Sequence, residues 1–186
     1  MALSPTLWRT CRVLAGPTRL RLLRQIIAAP DKTVGQLAEE AEIGLSRASQ
    51  ELRRLQSRGL VGVEREGPFV RYRPEPDPLV SSARPILAAL RGAFARSGRA
   101  PDRQIVRLAT ALAHPRRILV YRELLDGPRT VPMLRDRLRI PCAALFRHLR
   151  LLQEGGLVHA TQGVYRRARN GHPLAKCLTG LVQPAP

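Results

Sequence analysis

One stretch of this chain occurs twice, and the repetition limits the folds that the sequence can adopt. Leu52 and Leu55 correspond to Leu149 and Leu152 at a constant offset of 97 residues, and the Gly-Leu-Val run at 59–61 recurs at 156–158. Upstream, the pattern Ala-x-Pro-x-Arg at 15–19 recurs at 113–117, an offset of 98 residues. Shared spacing of apolar, glycine and proline positions indicates an internal duplication. We therefore expect the 186 residues to form two domains of roughly 70–80 residues each.

The repeated stretch has the pattern of an amphipathic helix. In the first copy, Ala48, Leu52 and Leu55 have the i, i+4, i+7 spacing of a buried helical stripe. The opposite face is rich in Arg and Gln, and Gly59 is placed to end the helix before an extended segment. A helix of this kind fits the major groove of DNA, where forked donors match the base edges.

The segments around this helix predict further helices and a β-hairpin in each copy. The first copy is expected to have helices over 4–14 and from Pro17 onward, a capping box of Thr33 and Gln36, and strands at 61–66 and 69–73. The second is expected to have helices from Pro115 and from Thr130, strands at 158–161 and 164–168, and a last helix over 173–182. A helix, a tight turn, a second helix and a hairpin are typical of a winged helix-turn-helix unit.

The region between the two copies also looks helical. Asp77 and Pro78 are placed to start a helix that reaches residue 96, with a kink at Pro85, and Pro101 is placed to start another. The predicted fold class is mainly α with small β-hairpin wings (α+β), in two tandem winged helix-turn-helix domains joined by a helical bridge. The predicted boundaries are 1–76 for the first domain, 77–100 for the bridge and 101–186 for the second domain.

The charge of the chain indicates a polyanionic partner. The formal net charge is +18, and 30 of the 32 basic residues are arginine. A GC-rich genome explains the choice of Arg over Lys, but it does not explain the shortage of acidic residues. So large an excess of one sign is self-repelling, and nucleic acid is the usual partner that offsets it.

The quoted motifs resemble those of the ArsR-type (arsenic-repressor-like) winged-helix transcription regulators. The resemblance lies in Ala-x-Pro-x-Arg at 15–19, Leu-Ala-Glu at 37–39 and the run at 52–61, with a second match at 113–117 and 147–158. It implies a dimer that binds operator DNA and is released by an effector. Because two copies share one chain, either a pseudo-dimer within the chain or a homodimer is expected. The family's Cys-x-Cys metal motif is absent here, so no metal site is expected.

These patterns select a set of residues for contact with double-stranded DNA. Base contacts are expected mainly from the first repeated helix, because the second presents Cys142, Ala143 and Phe146 on the equivalent face and supplies few hydrogen bonds. Phosphate contacts are expected from both hairpins. The predicted residues are Ser46, Arg47, Ser49, Gln50, Arg53 and Arg54 in the first helix, Arg147, His148 and Arg150 in the second, and Arg65, Arg71, Arg73, Arg166, Arg167 and Arg169 in the hairpins.

The predicted function is a sequence-specific DNA-binding transcriptional regulator, with repression as the expected mode. No catalytic constellation or phosphate-binding glycine loop is present, so neither an enzyme nor a cofactor is expected. Three scattered cysteines and the lack of a membrane-length apolar run fit a cytoplasmic, nucleoid-associated protein. Two alternatives remain open: a tandem winged-helix protein-interaction module, and non-specific nucleic-acid binding. A third idea, a metal or thiol sensor at Cys11, His172 and Cys177, rests on their expected nearness alone.

Overall fold

We analysed a computed structural model that describes residues 7–67, 69–96 and 102–183. These residues form a mainly helical fold with two small antiparallel sheets, which confirms the predicted balance of helix and strand. The helices are α1 (Leu7–Leu14), α2 (Pro17–Ala28), α3 (Val34–Glu40), α4 (Leu45–Gln56), α5 (Ala83–Arg96), α6 (Asp102–Leu112), α7 (Pro115–Leu125), α8 (Val131–Leu138), α9 (Cys142–Glu154) and α10 (Pro173–Val182). The strands are β1 (Lys32–Thr33), β2 (Gly62–Glu66), β3 (Phe69–Arg73), β4 (Arg129–Thr130), β5 (Val158–Thr161) and β6 (Val164–Arg167).

The chain divides into two compact units. One is Gly16–Arg103, which we call the inserted unit, and the other combines Met1–Ala15 with Gln104–Pro186, which we call the flanking unit. The division differs from the predicted boundaries, because α5 belongs to the inserted unit and α1 to the flanking unit. Parts of the predicted helices and turns, at residues 4–6, 68 and 97–101, lie outside the described residues.

In the inserted unit, local sequence signals set where the helices begin. Thr33 and Gln36 form the predicted capping box, in which each side chain bonds the other residue's backbone N–H at the start of α3. α4 begins after Gly44, and its buried residues include Ala48, Leu52 and Leu55, the predicted stripe. This stripe packs α4 against α2 and α3 and leaves the other face of α4 to solvent.

Each sheet has three strands, one more than the hairpin predicted from the sequence. The strand orders are β1-β3-β2 and β4-β6-β5, so a two-residue strand joins each hairpin on the side of its returning strand. Strands of two residues carry no readable alternation, and this explains why the sequence did not predict β1 and β4. In the second hairpin, Gln162 and Gly163 have φ of 51° and 76°, as a two-residue type I′ turn requires.

Helix α5 is shorter than predicted. The Asp77 carboxylate accepts a hydrogen bond from the backbone N–H of Leu79 (2.9 Å), a local turn, and the helix begins only at Ala83. Pro85 therefore lies in the first helical turn, where its missing N–H leaves no hydrogen bond unmade, and the predicted kink is wrong. Phe94 is only half-buried, and the guanidinium of Arg24 lies 4.2 Å from its ring centroid.

In the flanking unit, α10 is tied to α7. The hydroxyls of Tyr121 and Thr179 are 2.8 Å apart, and Arg122 Nε donates to the carbonyl of Val182 (3.1 Å). The buried residues of α1 are Leu7, Thr10, Cys11 and Leu14. Each has a buried counterpart in α6, 98 positions further along the chain. These counterparts are Ile105, Leu108, Ala109 and Leu112. The repeated spacing therefore extends to this helix, and both α1 and α6 group with the flanking unit, apart from the first two residues of α6.

We expect Gly59→Ala to destabilise the protein more than Gly67→Ala. Both glycines have left-handed φ, 66° and 56°, so each substitution costs about 1–2 kcal/mol of backbone strain. At position 59 an added Cβ would also lie 2.7 Å from Cβ of Asp77, whereas at position 67 it meets nothing within 4 Å. Urea denaturation of the two variants measures the difference. Equal losses of unfolding free energy would contradict the close approach at Gly59.

Candidate nucleic-acid interface

The outer face of α4 carries most of the residues predicted to read DNA. Ser46, Arg47, Gln50 and Arg53 are exposed, and Ser49 is half-buried. Arg47 has one weak contact, from Nη2 to Oγ1 of Thr18 at 3.5 Å. No ion pair involves Arg53 within the described residues, so its guanidinium is available to a partner. The helix thus presents an uninterrupted face of hydrogen-bonding side chains.

A partly buried ion pair fixes α4 to α2 behind this face. Arg19 Nη1 lies 2.7 Å from Oε2 of Glu51, and Arg54 Nη1 lies 3.1 Å from Oε1 of the same carboxylate. Burial raises the pKa of Glu51, but the hydrogen bond and charge of Arg19, helped by Arg54, outweigh it, so the pKa is lowered. Arg54, one of the predicted DNA contacts, is therefore partly neutralised within the protein.

Two of the three arginines predicted in the first hairpin are also paired with carboxylates. Arg71 Nε lies 2.6 Å from Glu66, and Arg73 pairs with both Asp31 and Glu64. These side chains share one face of the hairpin because alternate residues of a strand point to the same side. Arg65 lies on the other face near the tip, where it is exposed, and no ion pair in the described part of the chain involves it.

The second hairpin has a comparable number of cations but no carboxylates. Arg166, Arg167 and Arg169 are exposed, and none is in an ion pair within residues 102–183. By strand register Arg166 is the equivalent of Arg73, since each follows the tyrosine that pairs with the short third strand. The positions equivalent to Asp31 and Glu64 are Pro128 and Thr161. The hairpin has therefore lost both partners of this arginine.

Helix α9 presents a different surface from α4. Arg147 and Arg150 are exposed, although Arg150 is paired with Glu154 at 3.0 Å. Between them and the start of the helix, Phe146 is 55% exposed and Ala143 is also exposed. The face can make apolar and phosphate contacts but offers few groups for hydrogen bonds to bases.

The structure removes His148 from the predicted contact set. Its side chain lies in the core with 2% of the residue exposed, so it does not reach a DNA groove. Neither ring nitrogen has a hydrogen-bond partner among the described residues, and the ring centroid lies 5.1 Å from that of His114. Burial, His114 and nearby arginines lower the pKa of His148 to about 4, so the ring is neutral near pH 7.

Position 148 corresponds to Glu51 at the offset of 97 residues, and both side chains are buried. Arg117 likewise corresponds to Arg19. Without a carboxylate, its guanidinium donates from Nε to the carbonyl of Ala111 (2.8 Å) and from Nη2 to that of Thr110 (2.9 Å). Hydrophobic periodicity did not predict the ion pair between Arg19 and Glu51. A periodicity pattern assigns polar residues to the solvent-exposed face of a helix, so it gives no sign of a polar pair between two helices.

The cysteines do not form a reactive site in this structure. Burial raises the pKa of Cys11 to about 12 and that of Cys177 to about 11, which keeps both as thiols. His172 Nδ1 accepts a hydrogen bond from the backbone N–H of Leu174 (3.2 Å) and so caps α10. Across the described ranges, no three His, Cys, Asp or Glu side chains lie close enough together to hold a metal ion.

We expect the protein to lose stability as the pH falls from about 6.5 towards 4. His148 has a pKa of about 4 when folded and an ordinary one when unfolded, so the unfolded state binds more protons in this range. His148→Gln removes this contribution and flattens the profile. Urea denaturation at several pH values measures it, with the exposed His159→Gln as control. A profile unchanged by His148→Gln would contradict the burial of a neutral ring.

Comparison with known proteins identifies one of the two copies. Residues 16–68 match the MarR family, so this segment is a MarR-family winged-helix domain, a type found in DNA-binding transcription regulators. The matching family is MarR rather than the ArsR type, and the match covers only the first copy. We found no match among curated proteins. No helix in the described part of the chain is long and apolar enough to cross a lipid bilayer. Residues 16–68 are thus similar to the winged helix-turn-helix domain of MarR-type regulators.

Proposed function

We propose that this protein is a sequence-specific regulator of transcription, built of two tandem winged helix-turn-helix units, in which α4 reads the bases. The observation that carries the proposal is the exposed donor face of α4 within the segment that matches a regulator family. Arg47, Gln50 and Arg53 are the residues assigned to base edges, where Arg suits guanine and Gln suits adenine. Ser46 and Ser49, which have shorter side chains, are assigned additional contacts to the DNA beside these three residues.

The second unit contributes affinity more than readout in this proposal. Residues 104–186 contain 14 basic and 4 acidic residues, a net charge of +10. Residues 16–103 contain 16 basic and 10 acidic residues, a net charge of +6. A larger positive excess strengthens attraction to phosphates of any sequence. Arg147 and Arg150 of α9 and Arg166 of the second hairpin are the assigned phosphate contacts. Two units in one chain support action as a pseudo-dimer, and repression is supported by the family resemblances alone.

Exposed apolar side chains favour one second candidate, a protein-interaction module. Phe146 of α9 is 55% exposed and Met133 of α8 is 45% exposed, both in the flanking unit. Rings and methionines left in solvent are common at protein-binding surfaces. The positive charge of this unit makes DNA the better-supported partner. Substitutions in α4 and α9 distinguish the DNA-binding regulator from the protein-interaction module.

We expect Gln50→Ala with Arg53→Ala to lower the specificity ratio, the affinity for upstream DNA divided by that for random duplex, by about 10- to 100-fold. The matched control is Arg147→Ala with Arg150→Ala. These residues of α9 correspond to Gln50 and Arg53 at the offset of 97 residues. It should weaken both affinities alike, because it removes only phosphate contacts. Competition titrations across a salt series measure both.

A wild-type ratio above ~10³ that persists as salt rises supports the sequence reader. Equal and steeply salt-dependent affinities for both duplexes would leave non-specific binding as the function. Affinities unchanged by either pair of substitutions would favour the protein-interaction module.

We expect Arg166→Ala to reduce the salt dependence of DNA binding and Arg73→Ala to affect it less. One phosphate contact contributes about 0.9 to the slope of log affinity against log salt. Arg166 has no carboxylate partner among the described residues, whereas Arg73 is already neutralised by Asp31 and Glu64. Titrations at four salt concentrations give the slopes. A larger change in Arg73→Ala would mean that its ion pairs open on DNA.

A further inference from the structure

An open depression lies in the flanking unit, between the segment that follows β6 and one face of α10. Its volume is about 530 Å³, within the range of small-molecule sites. Residues 167–171 form one wall. Lys176, Thr179, Gly180 and Gln183 form the other, and their i, i+3, i+4, i+7 spacing puts them on a single side of the helix.

The depression is strongly cationic and has no internal counter-charge. Arg167, Arg169 and Lys176 line it, all three are exposed, and no ion pair in the described ranges involves them. No acidic residue lines it, and the sequence contains none after Glu154. Three like charges held around one concavity repel each other, and an anion bound among them relieves the repulsion.

The walls are fixed by hydrogen bonds that leave the cations free. Asn170 Nδ2 donates to the carbonyl of Gly156 (3.1 Å), and its Oδ1 accepts from the backbone N–H of His172 (3.0 Å). Thr179 Oγ1 donates to the carbonyl of Ala175 (2.9 Å) and meets the Tyr121 hydroxyl. These side chains hold the two walls in place, so the concavity is formed before any ligand binds.

A glycine inside α10 is explained by neither packing nor backbone geometry. Gly180 lies in the helix, where glycine is less favourable than any residue but proline. A Cβ built on it meets nothing within 4 Å, and its φ is not left-handed. The same holds for Gly171 in the opposite wall. Both glycines line the depression, so a side chain at either position would occupy part of its space.

We propose that this depression binds a compact, multiply charged phosphorylated small molecule. Arg167 and Arg169 offer forked donors that match phosphate oxygens, and Lys176 adds a point charge. No aromatic side chain is among the described residues that line the depression, and its charged groups favour recognition of the ligand through its phosphates. Arg167 and Arg169 were also predicted to contact DNA phosphates, and here we assign them to the small ligand instead. Arg166 lies on the opposite face of β6 from Arg167 and stays assigned to DNA.

The test is calorimetric titration of the full chain with tripolyphosphate in low-chloride buffer. We expect saturable binding of one ligand per chain. Gly180→Met should weaken it at least tenfold by filling the depression, and Lys176→Gln should weaken it about tenfold by removing one charge-assisted contact. The matched controls are Gly92→Met, at a helical glycine of α5 whose added Cβ also meets nothing, and Arg96→Gln, at an exposed cation of the same helix. Neither control should change the affinity.

Thermal unfolding shows whether each variant is folded, and Gly180→Met is expected to unfold at the same temperature as the wild type or higher. Absence of saturable binding, or binding that Gly180→Met and Lys176→Gln leave unchanged, would overturn the proposal.

A parallel titration with duplex DNA distinguishes the source of the phosphate. If Gly180→Met weakens DNA binding and not tripolyphosphate binding, the depression holds the DNA backbone and the small-molecule proposal fails. The DNA titration alone tests the proposed function.

Discussion

A buried or partly buried guanidinium, that of Arg117 or Arg19, occurs at the same point of both repeated segments, and the structure around each depends on how its charge is compensated. In the inserted unit, the carboxylate of Glu51 pairs with Arg19 and so joins α4 to α2. In the flanking unit, Arg117 donates to carbonyls at the end of α6, where unpaired backbone oxygens accumulate. Because an uncompensated buried charge is very costly, the loss of a carboxylate at one position required acceptors elsewhere.

The same exchange of acids for neutral residues recurs across the second copy. Glu51, Asp31 and Glu64 in the first copy correspond to His148, Pro128 and Thr161 in the second. In the first copy these acids form ion pairs with arginines, and in the second the equivalent hairpin arginine has no ion pair among the described residues. The two segments share one sequence pattern, and the distribution of carboxylates gives them different surfaces.

Features set by local or periodic signals were predictable from the sequence. The stripe of Ala48, Leu52 and Leu55, the capping box at Thr33 and the tight turn at Gln162 each depend on residues within a few positions of one another. The candidate site was predictable in part. The outward face of α4 followed from the same stripe, but the burial of His148 did not, since it depends on a neighbour at position 114. Which arginines are neutralised also depends on carboxylates distant in sequence.

The sequence by itself determined most of the helical and hairpin elements, the repeated spacing pattern and the excess of positive charge. Each of these is a property of spacing or composition, so no knowledge of distant contacts was needed. The tertiary structure decided which helix copies share a core: α1 and most of α6 group with the flanking unit, although the repeat alone would give one copy to each. It also decided which cations are free and formed the depression beside α10. These outcomes depend on packing between segments that are far apart in the chain. The apolar face of a helix shows that it will be buried, but it does not specify which other element buries it.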